Sequence, residues 1–190
     1  MSEALPKPSR LWMYVGIGLV IFWVLCLAVF LPGPPNALDN TGMSTPASYD
    51  WSPVDLKDQP VPFSRFKGKT VFLNFWATWC APCVGEMPSI EKLARNPRLR
   101  DKDIAFVCVS RDESTDTVRQ FVAGKNWPMT ILRTDQVPPV FYSTATPVTF
   151  IIAPDGRIAA FVEGADDWSA PEVVKFLEKL AKPASQASAK

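Results

Sequence analysis

The stretch Thr70–Ala77, TVFLNFWA, is apolar on both faces except at Asn74. Such a strand has to be covered from both sides, which places it at the centre of a sheet rather than at its edge. It runs almost directly into Trp79-Cys80-Ala81-Pro82-Cys83. Beyond Cys83, the residues Met87, Ile90, Leu93 and Ala94 recur at helical spacing, so a helix is expected from about Cys83 to Asn96, stopped by Pro97. Pro88 lies inside that helix and removes one backbone donor. Two cysteines are thereby set at the junction of a buried strand and a helix.

The remaining segments fit around this unit. Trp51–Phe63 reads as an N-terminal β-hairpin, and Ser64 as the cap of a brief helical turn ending near Gly68. Ile104–Ser110, IAFVCVS, is a second buried strand. Asp112, Ser114 or Thr115 is positioned to cap a helix carrying Val118, Phe121 and Val122. Met129–Leu132 is a short third strand. Val148–Ala153 is a fourth, and Pro154-Asp155-Gly156 turns it back into Arg157–Val162. A last helix begins near Ser169 or Ala170, with Pro171 in its first turn and Val173, Val174, Phe176, Leu177 and Leu180 on its apolar face. After the opening hairpin the order β-α-β-α-β-β-β-α, its last two strands a hairpin, predicts an α/β fold with a central mixed sheet flanked by helices on two faces.

Leu11–Leu31 carries no charge over 21 residues. As a helix this run matches the hydrocarbon thickness of a bilayer, roughly 30 Å. It is read as an N-terminal transmembrane anchor. Lys7 and Arg10 before it favour a cytoplasmic terminus over residues 1–10 and an exported domain. The rival readings are a cleaved signal peptide, although no clean A-x-A site follows, and a buried helix of the soluble domain. Residues 32–49 are rich in Pro, Gly, Ser, Thr and Asn and read as a flexible linker to a domain at 50–182. Residues 183–190 read as a disordered tail.

Twenty basic residues against nineteen acidic ones give a net charge of +1, and the domain itself is balanced, so no bulk field favours nucleic acid. The absence of histidine removes His-based triads and most catalytic zinc sites. Of the four cysteines, Cys26 lies in the apolar run and Cys108 in the second strand, where it reads as a small buried hydrophobe. Cys80 and Cys83 remain. Their spacing at a helix start suits a small disulfide. Free N–H groups and the helix dipole favour a thiolate on Cys80, making it the attacker, while Cys83, one turn further in, is the resolver. Other readings of the pair are half of a zinc or iron–sulfur site, which needs further ligands, and a structural disulfide, whose short loop constrains the unfolded chain little. Glu86 would share a helix face with Cys83. If buried, its carboxyl is raised by desolvation and suited to exchange a proton with Cys83.

Residues 71–88, VFLNFWATWCAPCVGEMP, resemble the TlpA/ResA type of membrane-anchored thioredoxin-like thiol–disulfide oxidoreductases, and the likeness extends over roughly 51–181. The resemblance implies a thioredoxin-like fold, a redox-active Cys80–Cys83 disulfide with no other cofactor, and Glu86 as a redox-tuning residue. It matches Pro147 to the cis-proline of such folds, with the backbone of Thr146 pairing an extended substrate. Trp79, Ala81, Pro82, Thr146 and Pro147 form the implied substrate-contacting set. Ordinary thioredoxins carry a buried Asp where this chain has Asn74, which shifts proton handling toward Glu86. The implied activity is reduction of disulfides in client proteins such as apocytochrome c or copper-site assembly proteins. The electrons would come from a membrane donor of the DsbD/CcdA type. Oxidase or isomerase activity uses the same residues, and a tethered, non-catalytic binding module is the alternative from another class.

Overall fold

The computed structural model describes residues 10–30 and 45–181. The expected cytoplasmic terminus up to residue 9, the linker from 32 to 44 and the tail at 183–190 lie outside the described residues. Two separate units are present, the N-terminal helix and the domain. Helix α1 spans Arg10–Phe30 and holds 21 residues. Among the described residues no helix is long and apolar enough to cross a membrane; within α1, side chains are described only at 14–23 and Cys26.

The domain is a five-stranded sheet of order β3-β2-β1-β4-β5. The central strand β1 (Thr70–Trp76) is buried along its whole length, as its doubly apolar sequence requires. It pairs in parallel with β2 (Ile104–Ser110), which pairs in parallel with β3 (Thr130–Arg133). On its other side β1 pairs antiparallel with β4 (Val148–Ile152), followed by β5 (Ile158–Glu163). Three helices complete the domain: α2 (Ala81–Ala94), α3 (Thr115–Val122) and α4 (Pro171–Leu180). Ser114, rather than Asp112 or Thr115, caps α3 by accepting from Asp116 N. Helix α2 continues through Pro88.

The period of two in β1 divides the core. Phe72 and Trp76 face one cluster with Cys83, Met87 and Ile90 of α2, Val118 of α3 and Leu177 of α4. Val71, Leu73 and Phe75 face the other, with Val61, Phe63, Phe66 and Phe141. This second cluster corrects the expectation of helices on both faces. It contains no residue of α2, α3 or α4 and is closed by aromatic side chains from short 3-10 turns and coil. Trp51, Phe63 and Phe141 are mutually packed there, with ring centroids 4.7–6.3 Å apart.

The segment expected as an N-terminal hairpin does reverse, through Asp55–Gln59, with Val61 N donating to Pro53 O at 2.8 Å and Phe63 N to Trp51 O at 3.0 Å. It forms isolated bridges rather than two strands, because Pro53, Pro60 and Pro62 lack the N–H a ladder needs. Val54 also bonds Arg133 of β3 in both directions, covering the end of an edge strand. The expected linker likewise ends earlier than residue 49. Ala47 N donates to Gly156 O, and Ile158 N to Thr45 O, so residues 45–49 belong to the domain.

Candidate active site

The two cysteines meet at the end of β1 as a disulfide, Cys80–Cys83. Cys80 is the N-cap of α2, with extended backbone, and its Sγ accepts a hydrogen bond from Cys83 N at 3.2 Å. Pro82 sits in the first turn, where its missing N–H costs nothing. The arrangement gives Cys80 the donor and the positive helix end that a thiolate needs. Cys83 is fully buried, while Cys80 is 6% exposed, in keeping with an outer and an inner sulfur. Ala81 and Pro82 are exposed, and Trp79 is 70% exposed beside them.

Across from Cys80 stands the loop before β4. The Thr146–Pro147 peptide is cis, and Thr146 O lies 3.5 Å from Cys80 Sγ. The structure thus brings together all of Trp79, Cys80, Ala81, Pro82, Cys83, Thr146 and Pro147. The Thr146 hydroxyl accepts from Arg111 Nη1 at 3.2 Å.

Glu86 lies on the buried side of α2, 3% exposed. Its carboxylate is enclosed by donors. Oε1 accepts from Asn74 Nδ2 at 2.8 Å. Oε2 accepts from Trp168 Nε1 at 2.8 Å and from Asp166 N at 3.3 Å. Burial raises its pKa above the usual glutamate range, opposed by the hydrogen bonds from Trp168, Asn74 and Asp166 N, with the Asp166 charge adding a smaller upward push. Ser89 ties the same region together, donating to Glu86 O at 2.8 Å and accepting from Trp168 N at 3.1 Å. Burial, joined by the negative charge of Glu86, pushes the Cys108 thiol up, so it stays protonated.

Two residues of this site were not assigned to it from the sequence. Trp168 is fully buried and reaches Glu86 from 82 residues away; nothing local to Trp168 signals that contact. Asp112, expected as a helix cap, instead holds the loop that carries Cys80. Its carboxylate accepts from Thr78 N at 2.9 Å, Thr78 Oγ1 at 2.7 Å and Ser110 Oγ at 2.6 Å. Thr78 stands two residues before Cys80. Among the described residues, no three His, Cys, Asp or Glu side chains converge on a metal-sized site. The Cys80–Cys83 disulfide is itself the redox element.

A disulfide at the head of a helix in this fold defines a thiol–disulfide oxidoreductase. The Redoxin family profile matches residues 41–177. The thiol–disulfide oxidoreductase ResA of Bacillus subtilis is 31% identical over 163 residues, covering 83% of this chain and 87% of that protein. ResA of Geobacillus kaustophilus is 34% identical over 133 residues, covering 69% and 74%. Among solved structures, the thioredoxin domain of a thiol–disulfide oxidoreductase from Bacteroides vulgatus superposes with a TM-score of 0.59 at 25% identity, covering 74% of this chain and 99% of that one. A secreted Mycobacterium tuberculosis disulfide oxidoreductase, at 24% identity and a TM-score of 0.53, shares the fold. The chain belongs to the redoxin family and is related there to the ResA thiol–disulfide oxidoreductases.

Proposed function

We propose that the protein is a membrane-anchored, extracytoplasmic reductase of client-protein disulfides. The observation that carries this reading is the Cys80–Cys83 disulfide at the N-terminus of α2, with Cys80 Sγ facing the Thr146 carbonyl. In the reduced protein the Cys80 thiolate attacks one sulfur of a client disulfide. The client's other sulfur leaves as a thiolate and takes up a proton from water. Client backbone pairs with Thr146 N–H and C=O, and Trp79, Ala81, Pro82 and Pro147 form the walls of the contact. Cys83 then gives its proton to Glu86, and the Cys83 thiolate attacks Cys80 Sγ. The mixed disulfide breaks, and the second client sulfur leaves and is protonated in turn. Two electrons pass to the client, and the enzyme is left as the Cys80–Cys83 disulfide.

The relation to ResA supports thiol–disulfide exchange, and the uncharged run 11–31 supports the anchor. On this reading residues 1–10 are cytoplasmic and the domain lies outside the membrane. A thiol donor of the DsbD/CcdA type resupplies electrons. Apocytochrome c and copper-site assembly proteins, each presenting a cysteine pair, are the proposed clients. Cys83→Ser tests the scheme. It leaves Cys80 able to attack and removes the resolving sulfur, so mixed disulfides with cysteine-pair clients accumulate and are released by dithiothreitol. If the variant captures nothing while Cys80 is reduced and reactive toward a small alkylating agent, the client-reduction reading is wrong. Capture of apocytochrome c identifies it as the client, whereas capture of many unrelated exported proteins assigns a general role.

A further inference from the structure

The domain is balanced in charge as a whole, but its charges are sorted along the sheet. Strand register fixes the two ends. Thr70 stands beside Ile104 and Val71 beside Ile152 at one end, while Phe75 stands between Val109 and Val148 at the other, where Cys80 follows. The seven residues of β1 hold these ends about 20 Å apart. Around the Cys80 end, Arg119 and Arg133 are used on Asp58, Asp116 and Asp135. Glu113 after β2, Glu163, Asp166 and Asp167 at and after the end of β5, and Glu172 in the first turn of α4 have no ion pair among the described residues. Lys57 and Arg111 are the cations left against them. The far end has the opposite balance. Its acids are mostly consumed, Asp103 by Lys69, Glu91 by Arg95, Glu178 by Arg98 and Asp155 by Arg157. Lys67 before β1, Arg100 and Lys102 before β2, Lys125 before β3 and Lys179 in the last turn of α4 are left over, against Asp50 and Asp101. Between the end of α2 and the first residues of β2 and β3, an open cavity of about 670 Å³ is lined by Arg95, Arg100 and Lys102 and by no acidic side chain.

The chain enters the domain at this same basic end. Ile158 N donates to Thr45 O at 3.0 Å and Ala47 N to Gly156 O at 2.9 Å, beside the turn that follows β4. Tyr49, a little further on, carries Lys67 Nζ over its ring at 5.6 Å. Residues 32–44 join this end to the apolar run 11–31. We propose that the basic end of the domain docks on the anionic phosphate headgroups of the bilayer that holds the anchor. An anionic lipid surface attracts cations and repels anions within a Debye length. Both effects act in one direction here, because the leftover carboxylates stand at the opposite end. The cavity beside Arg100 and Lys102 is wide enough to admit a headgroup phosphate. Docked, the domain turns Cys80 to the aqueous side. The inference rests on the anchor in the function proposed above and does not depend on which way electrons flow.

The test uses the oxidised full chain in lipid nanodiscs that carry a trace of lipid with gadolinium chelated at its headgroup, which broadens amide resonances by proximity. The discs are made of phosphatidylcholine alone or of phosphatidylcholine mixed with phosphatidylglycerol. In the anionic discs the amides of Lys67, Lys102 and Lys125 are expected to broaden several-fold more than those of Trp79 and Thr146. In neutral discs, or in anionic discs at high salt, that contrast falls away. Arg100→Glu combined with Lys102→Glu removes it in anionic discs at low salt, each lost cation weakening docking by about fivefold, and the unchanged amide pattern of β1 shows that the variant is folded. Equal broadening patterns in neutral and anionic discs overturn the proposal, as does preferential broadening at Trp79. Shifts at Arg100 and Lys102 that follow protein concentration and ignore lipid charge assign the face to a second copy and overturn it too. The anchor is read separately, by flotation. A chain that floats with phosphatidylcholine vesicles but shows no dependence on lipid charge leaves the anchor standing and sinks the docking alone. A chain that stays behind when phosphatidylcholine vesicles float sinks the anchor; the basic end still docks if that chain floats with phosphatidylglycerol vesicles, and docking falls as well if it does not.

Discussion

A carboxylate taken out of water needs donors in place of the solvent it loses. Glu86 has three, yet burial still holds its pKa above the usual glutamate range. The sign of the linkage follows. Because the folded-state pKa is raised, the group's contribution to stability is fully present below the ordinary glutamate range. It is lost as pH rises through the folded value. Glu86→Gln removes this dependence. Urea unfolding of the variant should show no loss of stability across that window. A parent whose stability instead rises through that window contradicts the assignment. Trp168→Phe keeps an aromatic ring and removes one donor from Oε2, so it should raise the Glu86 midpoint further, as read from Glu86 Cδ.

At the scale of elements, the strand–turn–helix around the cysteines was legible because its signals are local. The doubly apolar run, the turn residues and the helical spacing all lie within residues 70–96. Partnerships between distant segments have no local signal: the Thr146–Pro147 loop beside Cys80 came only with the family resemblance, and others did not come at all. Thr78 and Asp112 are 34 residues apart, and Asp112 next to a helix start offers the same sequence signal as a cap. The Trp51–Phe63 segment has hairpin-like spacing, but its prolines leave only isolated bridges, and its aromatic rings serve the second face of the sheet instead. Leaving one buried donor unpaired costs about 1–3 kcal/mol, and Asp112→Ala strands several around Thr78 and Ser110. The variant should lose at least that much stability in urea unfolding and show faster alkylation of reduced Cys80 as the loop loosens. Leu177→Ala, fully buried in the cluster beneath α4, should cost about 2–5 kcal/mol as a cavity and leave the intrinsic thiol chemistry of Cys80 unchanged.

At the scale of the whole molecule, one chain carries a helix rich in apolar residues and a redox domain whose working sulfur lies at one end of its sheet. The anchor reading predicts that the full chain stays with the membrane fraction through alkaline carbonate extraction; release into the supernatant contradicts it. The reductase reading concerns the domain alone. Fold and site define thiol–disulfide exchange, and the direction of that exchange depends on how the Cys80–Cys83 couple stands against its partners. The most direct measurement is its reduction potential, obtained by equilibrating the full chain in graded dithiol/disulfide buffers and reading the fraction of Cys80 and Cys83 alkylated. The account predicts a value in the reducing range, near thioredoxin's roughly −270 mV, whereas a value near the roughly −120 mV of a strong oxidant would contradict it.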